Sequence, residues 1–302
     1  MGRHIRGIRP ALLAGCLLLL PLILEGCTAR RTAPYTYDWN QGFWTPLFHP
    51  DNLILFGLWL TVFIAVVSQF FGVVLGVFGA LGKMAKAWPI RLIANVYIWF
   101  FRGTPLLVQI MLVYYGLLVT KIYPWPDLYI PILGFTIVSE IQAGIVALSV
   151  NEGAYMTEIV RAGILSIDPG QMEAAKSLGM TYGQAMRRIV LPQAARVIVP
   201  PLGNEFNNML KTTSLLVILG GVPELYFTFS NKATQNFHPF EFFLACAVWY
   251  LLLTTIWSII QGRIERRLAK GTAAGAAAAE RGGFRERLLG LRGAGSSGLG
   301  GH

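Results

Sequence analysis

The sequence predicts an all-α membrane protein, and three observations carry that prediction. Only 13% of its 302 residues are charged, while 54% are hydrophobic; a soluble domain carries about a quarter charged residues. Several apolar stretches are long enough to cross a hydrocarbon core of about 30 Å as helices, which takes about 20 residues. Lys and Arg gather in alternate connecting segments, the positive-inside bias of a membrane chain. The net charge of +10 is read through this bias and not as a nucleic-acid footprint. A β-barrel would need alternating strands of about ten residues, and none is evident. Helix is then required, because unpaired backbone groups are too costly in lipid.

In chain order, residues 1–31 read as a signal, lipobox-like or anchor segment. Arg3, Arg6 and Arg9 begin it, and Ala11 to Leu24 is an apolar run of the length of an export-signal core, short for a span. Leu24-Glu25-Gly26-Cys27 resembles a lipobox, with Glu25 departing from the pattern; cleavage at Cys27 and retention as a tilted anchor both stay open. Residues 32–50 are polar, aromatic and Pro-containing, and are expected to form an external linker. A membrane domain is expected over 51–262, with spans at about 52–79, 92–118, 133–155, 197–221 and 239–261. Residues 263–302, basic and Ala/Gly-rich, have too little apolar surface to pack and are expected to be a disordered cytoplasmic tail. Cys16, Cys27 and Cys246 show no CxxC or Cys/His spacing, which speaks against a zinc site or disulfide framework.

Orientation follows from the basic residues. Lys83, Lys86 and Arg91 lie between the first two spans. Arg161, Lys176, Arg187, Arg188 and Arg196 lie between the third and fourth. Arg263, Arg266, Arg267, Lys270, Arg281, Arg285, Arg287 and Arg292 follow the last. The other side holds Arg30, Arg31, Lys121 and Lys232. The C-terminus is therefore expected in the cytoplasm and residues 28–50 outside.

The long inside loop, about 157–195, reads as two short helices. Asp168 can cap the first, with Pro169 in its first turn and Gln171 placed for a capping box. Gly179 can end it in a left-handed conformation. Thr181 with Gln184 can start the second in the same way. Met172, Ala175 and Leu178 offer a small apolar ridge that could dock in a partner's groove.

Within that loop stand Glu173-Ala174-Ala175, then Gly179, then Ile189-Val190-Leu191-Pro192. This spacing resembles the EAA loop of ABC transporter permeases; only Met186 departs, where an aromatic residue is often found. Arg102-Gly103-Thr104-Pro105-Leu106-Leu107-Val108-Gln109, Gly153-Ala154-Tyr155 with Glu158 and Arg161, Leu191-Pro192-Gln193-Ala194, Leu210-Lys211-Thr212-Thr213-Ser214-Leu215 and Glu265-Arg266-Arg267-Leu268 are similar to the polar amino acid (histidine/glutamine-type) importer family. The resemblance covers about residues 50–270. It implies five core helices of the type I ABC importer permease kind, in a bacterial cytoplasmic (inner) membrane. It also implies that Glu173, Ala174, Ala175 and Gly179 couple to a separate ABC ATPase that binds ATP and Mg. Further implied partners are a second permease chain, identical or related, and an extracytoplasmic solute-binding protein, with an amino acid or similar polar solute as cargo.

The residues support that division of labour. No Gly-x-x-x-x-Gly-Lys-Ser/Thr phosphate loop occurs in the chain, so a transport role with no catalytic residues of its own is expected. Arg102, Gln109, Glu152, Asn204, Glu205, Asn208 and Lys211 are polar positions within spans and the candidates for the solute path. Unpaired charges there would cost about 2.5–3.5 kcal/mol each at mid-bilayer. Asn204, Asn208 and Lys211 fall on one helix face, with Glu205 beside it. Arg102 is expected to bind carbonyls freed where Gly103 and Pro105 break the helix. Glu140, Gln142 and Asn151 add polar positions, and Glu158 with Arg161 reads as a packing ion pair. An ion-coupled secondary transporter or channel is the alternative; it would explain buried charges but not the EAA spacing. His4, His49, His238 and His302 offer no metal-ligand spacing, which argues against a membrane-anchored enzyme.

Overall fold

A computed structural model describes residues 35–121, 125–131 and 134–269. The expected signal or anchor segment, including Cys27, lies outside the described residues, as does the tail beyond Ala269. The chain divides into two units, Met1–Trp39 and Asn40–His302. In the described part of the first, the Tyr37 and Trp39 rings stack with centroids 5.8 Å apart.

The second unit opens with a π turn, Asn40–Trp44, and one α turn, Thr45–Phe48. Helix α1, Asn52–Met84, is capped by Asp51, whose carboxylate accepts from the Ile54 N–H at 3.0 Å. Helices α2, Trp88–Gly103, and α3, Leu106–Thr120, come next. Strands β1, Leu128–Ile130, and β2, Phe135–Ile137, form an antiparallel hairpin that pairs Leu128 with Ile137. Then come α4, Ser139–Leu165, α5, Pro169–Ser177, and α6, Tyr182–Ala185. A π turn, Met186–Val190, carries α6 into α7, Leu191–Thr212. A 3-10 segment, Thr213–Leu219, leads to α8, Leu225–Asn236, and α9, Pro239–Ala269.

The core is a seam between α1 and α4 made by absent side chains. A Cβ on Gly72 would lie 2.6 Å from the Glu152 Cγ, one on Gly76 2.2 Å from the Met156 Cβ, and one on Gly79 2.1 Å from the Thr157 Oγ1. Small residues let helix backbones approach, the main way helices associate where lipid removes the hydrophobic drive. Leu60, Ile64, Ala147 and Leu148 extend the seam to Phe206, Leu210 and Leu216 in one apolar core. A second core near Asp51 joins Ile54 to Leu225, Phe229, Phe242 and Ala245. Large apolar side chains such as Phe70, Phe78, Trp99 and Ile256 point outward, as a lipid-facing surface would.

Several sequence expectations are corrected. Among the described residues, two helices are long and apolar enough to cross a membrane alone, Asn52–Met84 and Pro239–Leu268. The span expected at 92–118 is two helices, α2 and α3, bent by 111° at Thr104 and Pro105. Proline drives the residue before it into extended backbone, and Thr104 has φ −115° and ψ 149°. The span expected at 133–155 starts later, after β2, and runs on to Leu165. The one expected at 197–221 starts at Leu191 and leaves α-helix at Thr213. The linker expected to end at residue 50 is packed in part: Gly42 and Pro46 are buried, and the Trp249 indole donates to the Pro46 carbonyl at 3.1 Å. Residues 263–269, expected in a disordered tail, are the last turns of α9.

Candidate functional site

The site grows from the break between α2 and α3. Ending α2 at Gly103 leaves carbonyls without helical partners. Neighbouring side chains take them over. The Thr104 hydroxyl donates to the Phe100 carbonyl at 2.8 Å. The Gln109 amide donates to the Phe101 carbonyl at 2.8 Å and the Thr104 carbonyl at 3.0 Å. From α4, the Asn151 amide donates to the Phe101 carbonyl at 3.2 Å and to the Gln109 Oε1 at 2.8 Å. Gln109, 1% exposed, is a clasp for the break. That is the role expected of Arg102, which instead is exposed and lays its guanidinium over the Tyr155 ring, 5.2 Å from the centroid.

Beside this clasp, α4 and α7 border an open cavity of about 480 Å³, with Asn208 and Lys211 exposed and Glu205 half-buried. Glu152, Glu205, Asn208 and Lys211 line it, together with Asn151, Thr104, Tyr155 and Thr212. Glu152 is 5% exposed and accepts a 2.9 Å bond on Oε1 from the Gln69 amide of α1. Gly72, one turn from Gln69, makes room for the Glu152 stem. No hydrogen bond or ion pair within the described residues holds the Glu205 carboxylate or the Lys211 ammonium.

Of the seven solute-path candidates, Glu152, Glu205, Asn208 and Lys211 meet in the cavity, and Arg102, Gln109 and Asn204 do not. Asn204 accepts from the Gln261 amide of α9 at 3.0 Å. Gln261 reaches it because Gly203 has no Cβ, which would lie 2.6 Å from the Gln261 Cδ. Sequence reasoning missed Thr104, Tyr155 and Thr212, though all three stand inside the motifs that carry the family resemblance. It missed Gln69, for which an uncharged apolar span carried no signal. Gln142 donates to the Ile137 and Pro126 carbonyls at 2.9 and 2.6 Å and braces the hairpin. Glu140 accepts from the Tyr114 hydroxyl at 3.1 Å.

The loop between α4 and α7 forms the expected helix, turn and helix, with two corrections. Asp168 caps α5 by accepting from the Gly170 N–H at 2.8 Å. Gln171 does not complete a capping box there; its side chain accepts from the Gln193 amide at 3.4 Å. The apolar ridge is split, with Ala175 1% exposed and Leu178 83% exposed. Gly179 sits at φ +79°. There the Met180 N–H donates to the Ala175 carbonyl at 3.1 Å and the Gly179 N–H to the Lys176 carbonyl at 2.9 Å, a Schellman ending that favours glycine. Thr181 and Gln184 form the capping box. Glu173 and Ala174 are exposed. The loop emerges where Lys83 of α1 bonds Glu158 of α4, with Arg161 3.6 Å from the same carboxylate. At the far end of the bundle, Lys232 pairs with Asp51 at 2.5 Å.

Comparison with known proteins places this arrangement. Residues 72–270 match the family described as binding-protein-dependent transport system inner membrane component. The arginine transport system permease protein ArgU of Corynebacterium glutamicum is 41% identical over 221 residues, covering 70% of this chain and 67% of that protein. The glutamine transport system permease protein GlnP of Escherichia coli is 33% identical over 225 residues, covering 74% and 97%. A chain from the crystal structure of an amino acid ABC transporter with histidines superposes with a TM-score of 0.65 at 37% identity, over 77% of this chain and 100% of that one. The MetNI methionine ABC transporter shares the fold, with a TM-score of 0.57 at 20% identity. With two thirds of its length inside that family and its helices on that fold, the chain belongs to the binding-protein-dependent transport system inner membrane components and is a permease subunit.

Proposed function

We propose that this permease carries a polar amino acid into the cytoplasm by alternating access, driven by a separate ABC ATPase. The observation that carries the reading is the cavity between α4 and α7, where Glu152 and Glu205 face the same space as Lys211. A zwitterionic solute needs a cation for its carboxylate and acceptors for its ammonium, and this set offers both. Relatives named for arginine and glutamine transport fit such a solute.

In this reading the loop takes up the work. Glu173, Ala174, Ala175 and Gly179 form the surface and the turn that seat in the ATPase, which binds ATP and Mg. Burial of Ala175 on the inner face of α5 and the closed turn at Gly179 make a stiff projection, fit to pass on a push. The five spans are α1, the bent α2–α3 pair, α4, α7 and α9, and they define a membrane domain over 51–262. A second permease chain completes the pathway, and an extracytoplasmic receptor delivers the solute. The loop end of the bundle, with Lys83, Lys176, Arg187, Arg188 and Arg263, faces the cytoplasm of a bacterium, and so does the C-terminus.

Uptake of radiolabelled amino acids into proteoliposomes holding the assembled transporter tests this. ATP-dependent uptake is expected, lost on Gly179→Val with the complex still assembled. Uptake driven by an ion gradient without the ATPase would move the chain to the secondary transporters.

A further inference from the structure

We infer that a basic hollow beside α6 holds the phosphate of an anionic phospholipid, whose acyl chains lie along the start of α7. Thr181, Gly183, Gln184, Arg187 and Arg188 line this open hollow of about 580 Å³, and no carboxylate stands among them. It shares no residue with the cavity between α4 and α7. No hydrogen bond or ion pair within the described residues holds either guanidinium.

The capping box occupies the acceptors of the lining. Gln184 Oε1 accepts from the Thr181 N–H at 2.9 Å, and Thr181 Oγ1 accepts from the Gln184 N–H at 3.3 Å. What remains are donors: two guanidinium forks, the Gln184 amide NH2 and the Thr181 hydroxyl hydrogen. Donors with two permanent positive charges fit an anion. The planar forks match phosphate oxygens in pairs.

The flank of the hollow favours a lipid over a soluble phosphate. Tyr182, beside Gly183, is 63% exposed, and Leu191 is 43% exposed. Leu191 and then Ala195 follow Arg187 at steps of four along continuous helix, and both are exposed. Such steps keep to one helix face, so an apolar stripe leads from the guanidiniums along α7. It runs toward the level where Ile198 packs against Gly163 of α4. A phosphate without acyl chains has no use for that stripe. Basic pockets beside spans take anionic headgroups in the same way. The α5 surface proposed to seat in the ATPase contributes nothing to the lining.

The test is native mass spectrometry of the purified permease–ATPase complex, released from nanodiscs of equal phosphatidylglycerol and phosphatidylcholine. The unaltered complex is expected to retain phosphatidylglycerol about thirty-fold over phosphatidylcholine. Arg187→Gln and Arg188→Gln should each lower that preference about five-fold, the weight of one basic side chain at an anionic surface. Both side chains are exposed and bonded to nothing in the described fold, so the variants should assemble with the ATPase as before. Arg187→Lys with Arg188→Lys keeps the charge and should keep most of the preference. No preference in the unaltered complex, or an equal one in the double Gln variant, overturns the inference. Loss of the ATPase from the double Gln variant gives the hollow to that subunit and overturns it too. Displacement of phosphatidylglycerol by millimolar glycerol phosphate makes the hollow a soluble-anion site and removes the lipid.

Discussion

Helix α4 meets α1 and α7 in opposite ways. Toward α1 it is packed with no room to spare, over Gly72, Gly76 and Gly79. Toward α7 it closes tightly only near its end, where a Cβ on Gly163 would lie 2.3 Å from the Ile198 Cγ1, and over its middle it borders a cavity whose charges are left open. The first contact is where stability is made, because close backbone approach maximises dispersion in a lipid solvent. The second is where the proposed function would hold a solute. Glu152 joins the two, since the glycine seam brings Gln69 to its Oε1 while the carboxylate still lines the cavity. A rigid seam thus sets the position of an acidic group in a soft one.

That contrast can be broken. The largest effect is expected from Gly76→Leu, whose Cβ would meet the Met156 backbone carbonyl carbon at 2.9 Å as well as its side chain. Backbone cannot step aside, so the loss should exceed the about 1–3 kcal/mol of ordinary overpacking. Little monodisperse protein should survive detergent extraction, as size-exclusion chromatography would reveal. Normal yield would mean that the seam is not what holds α1 on α4. Next is Lys211→Ala on the cavity side. Uptake should fall about ten-fold or more, with the melting temperature in detergent unchanged, because no bond in the described fold depends on its ammonium. A large fall in melting temperature would make Lys211 structural and blur the distinction between the two faces.

Gln109→Leu sharpens the comparison at the clasp. It strands the Thr104 carbonyl and half-strands that of Phe101, for about 0.6–2 kcal/mol by membrane hydrogen-bond values, read as a lower melting temperature. An unchanged melting temperature would leave Asn151 as the sufficient partner. The smallest effect is expected at the far end, at Asp51. Burial there works to raise its carboxyl, but the Lys232 ammonium and the Ile54 N–H outweigh it and hold it below its ordinary 3.8. A lowered folded value stabilises at all pH above the unfolded one, and the benefit is lost as pH falls through the folded one. The Asp51 side chain is 47% exposed, so solvent limits the gain to a few tenths of a kcal/mol or less. Melting curves of the unaltered protein and of Asp51→Asn should differ slightly at neutral pH and converge only as pH falls below 3.8, through the lowered value.

The legible parts of this protein share a length scale. Pro105 announces the break after α2, Gly179 the turn after α5, and Thr181 with Gln184 the start of α6. Each acts on backbone groups within about four residues, and each formed as read. The misread parts share the opposite property. Helical phase groups Asn204 with Asn208 and Lys211, yet it serves Gln261, distant in sequence, through a gap left by Gly203. Gln109 takes the carbonyls that the sequence offers to Arg102, because the bend returns Gln109 over the end of α2 while Arg102 lies on Tyr155.

From the chain alone, then, come the helical, apolar character, the first and last of the expected spans, the capped projection ahead of α7, and the kinship of the motifs. All of these depend on composition and on neighbours a few positions apart. Which polar groups share one cavity was decided only by tertiary structure. Gln69 and Glu152 are 83 positions apart, and their meeting depends on how closely two helices cross and on which side each turns inward. Local spacing names the candidates on a helix; the glycines that admit a neighbour choose among them.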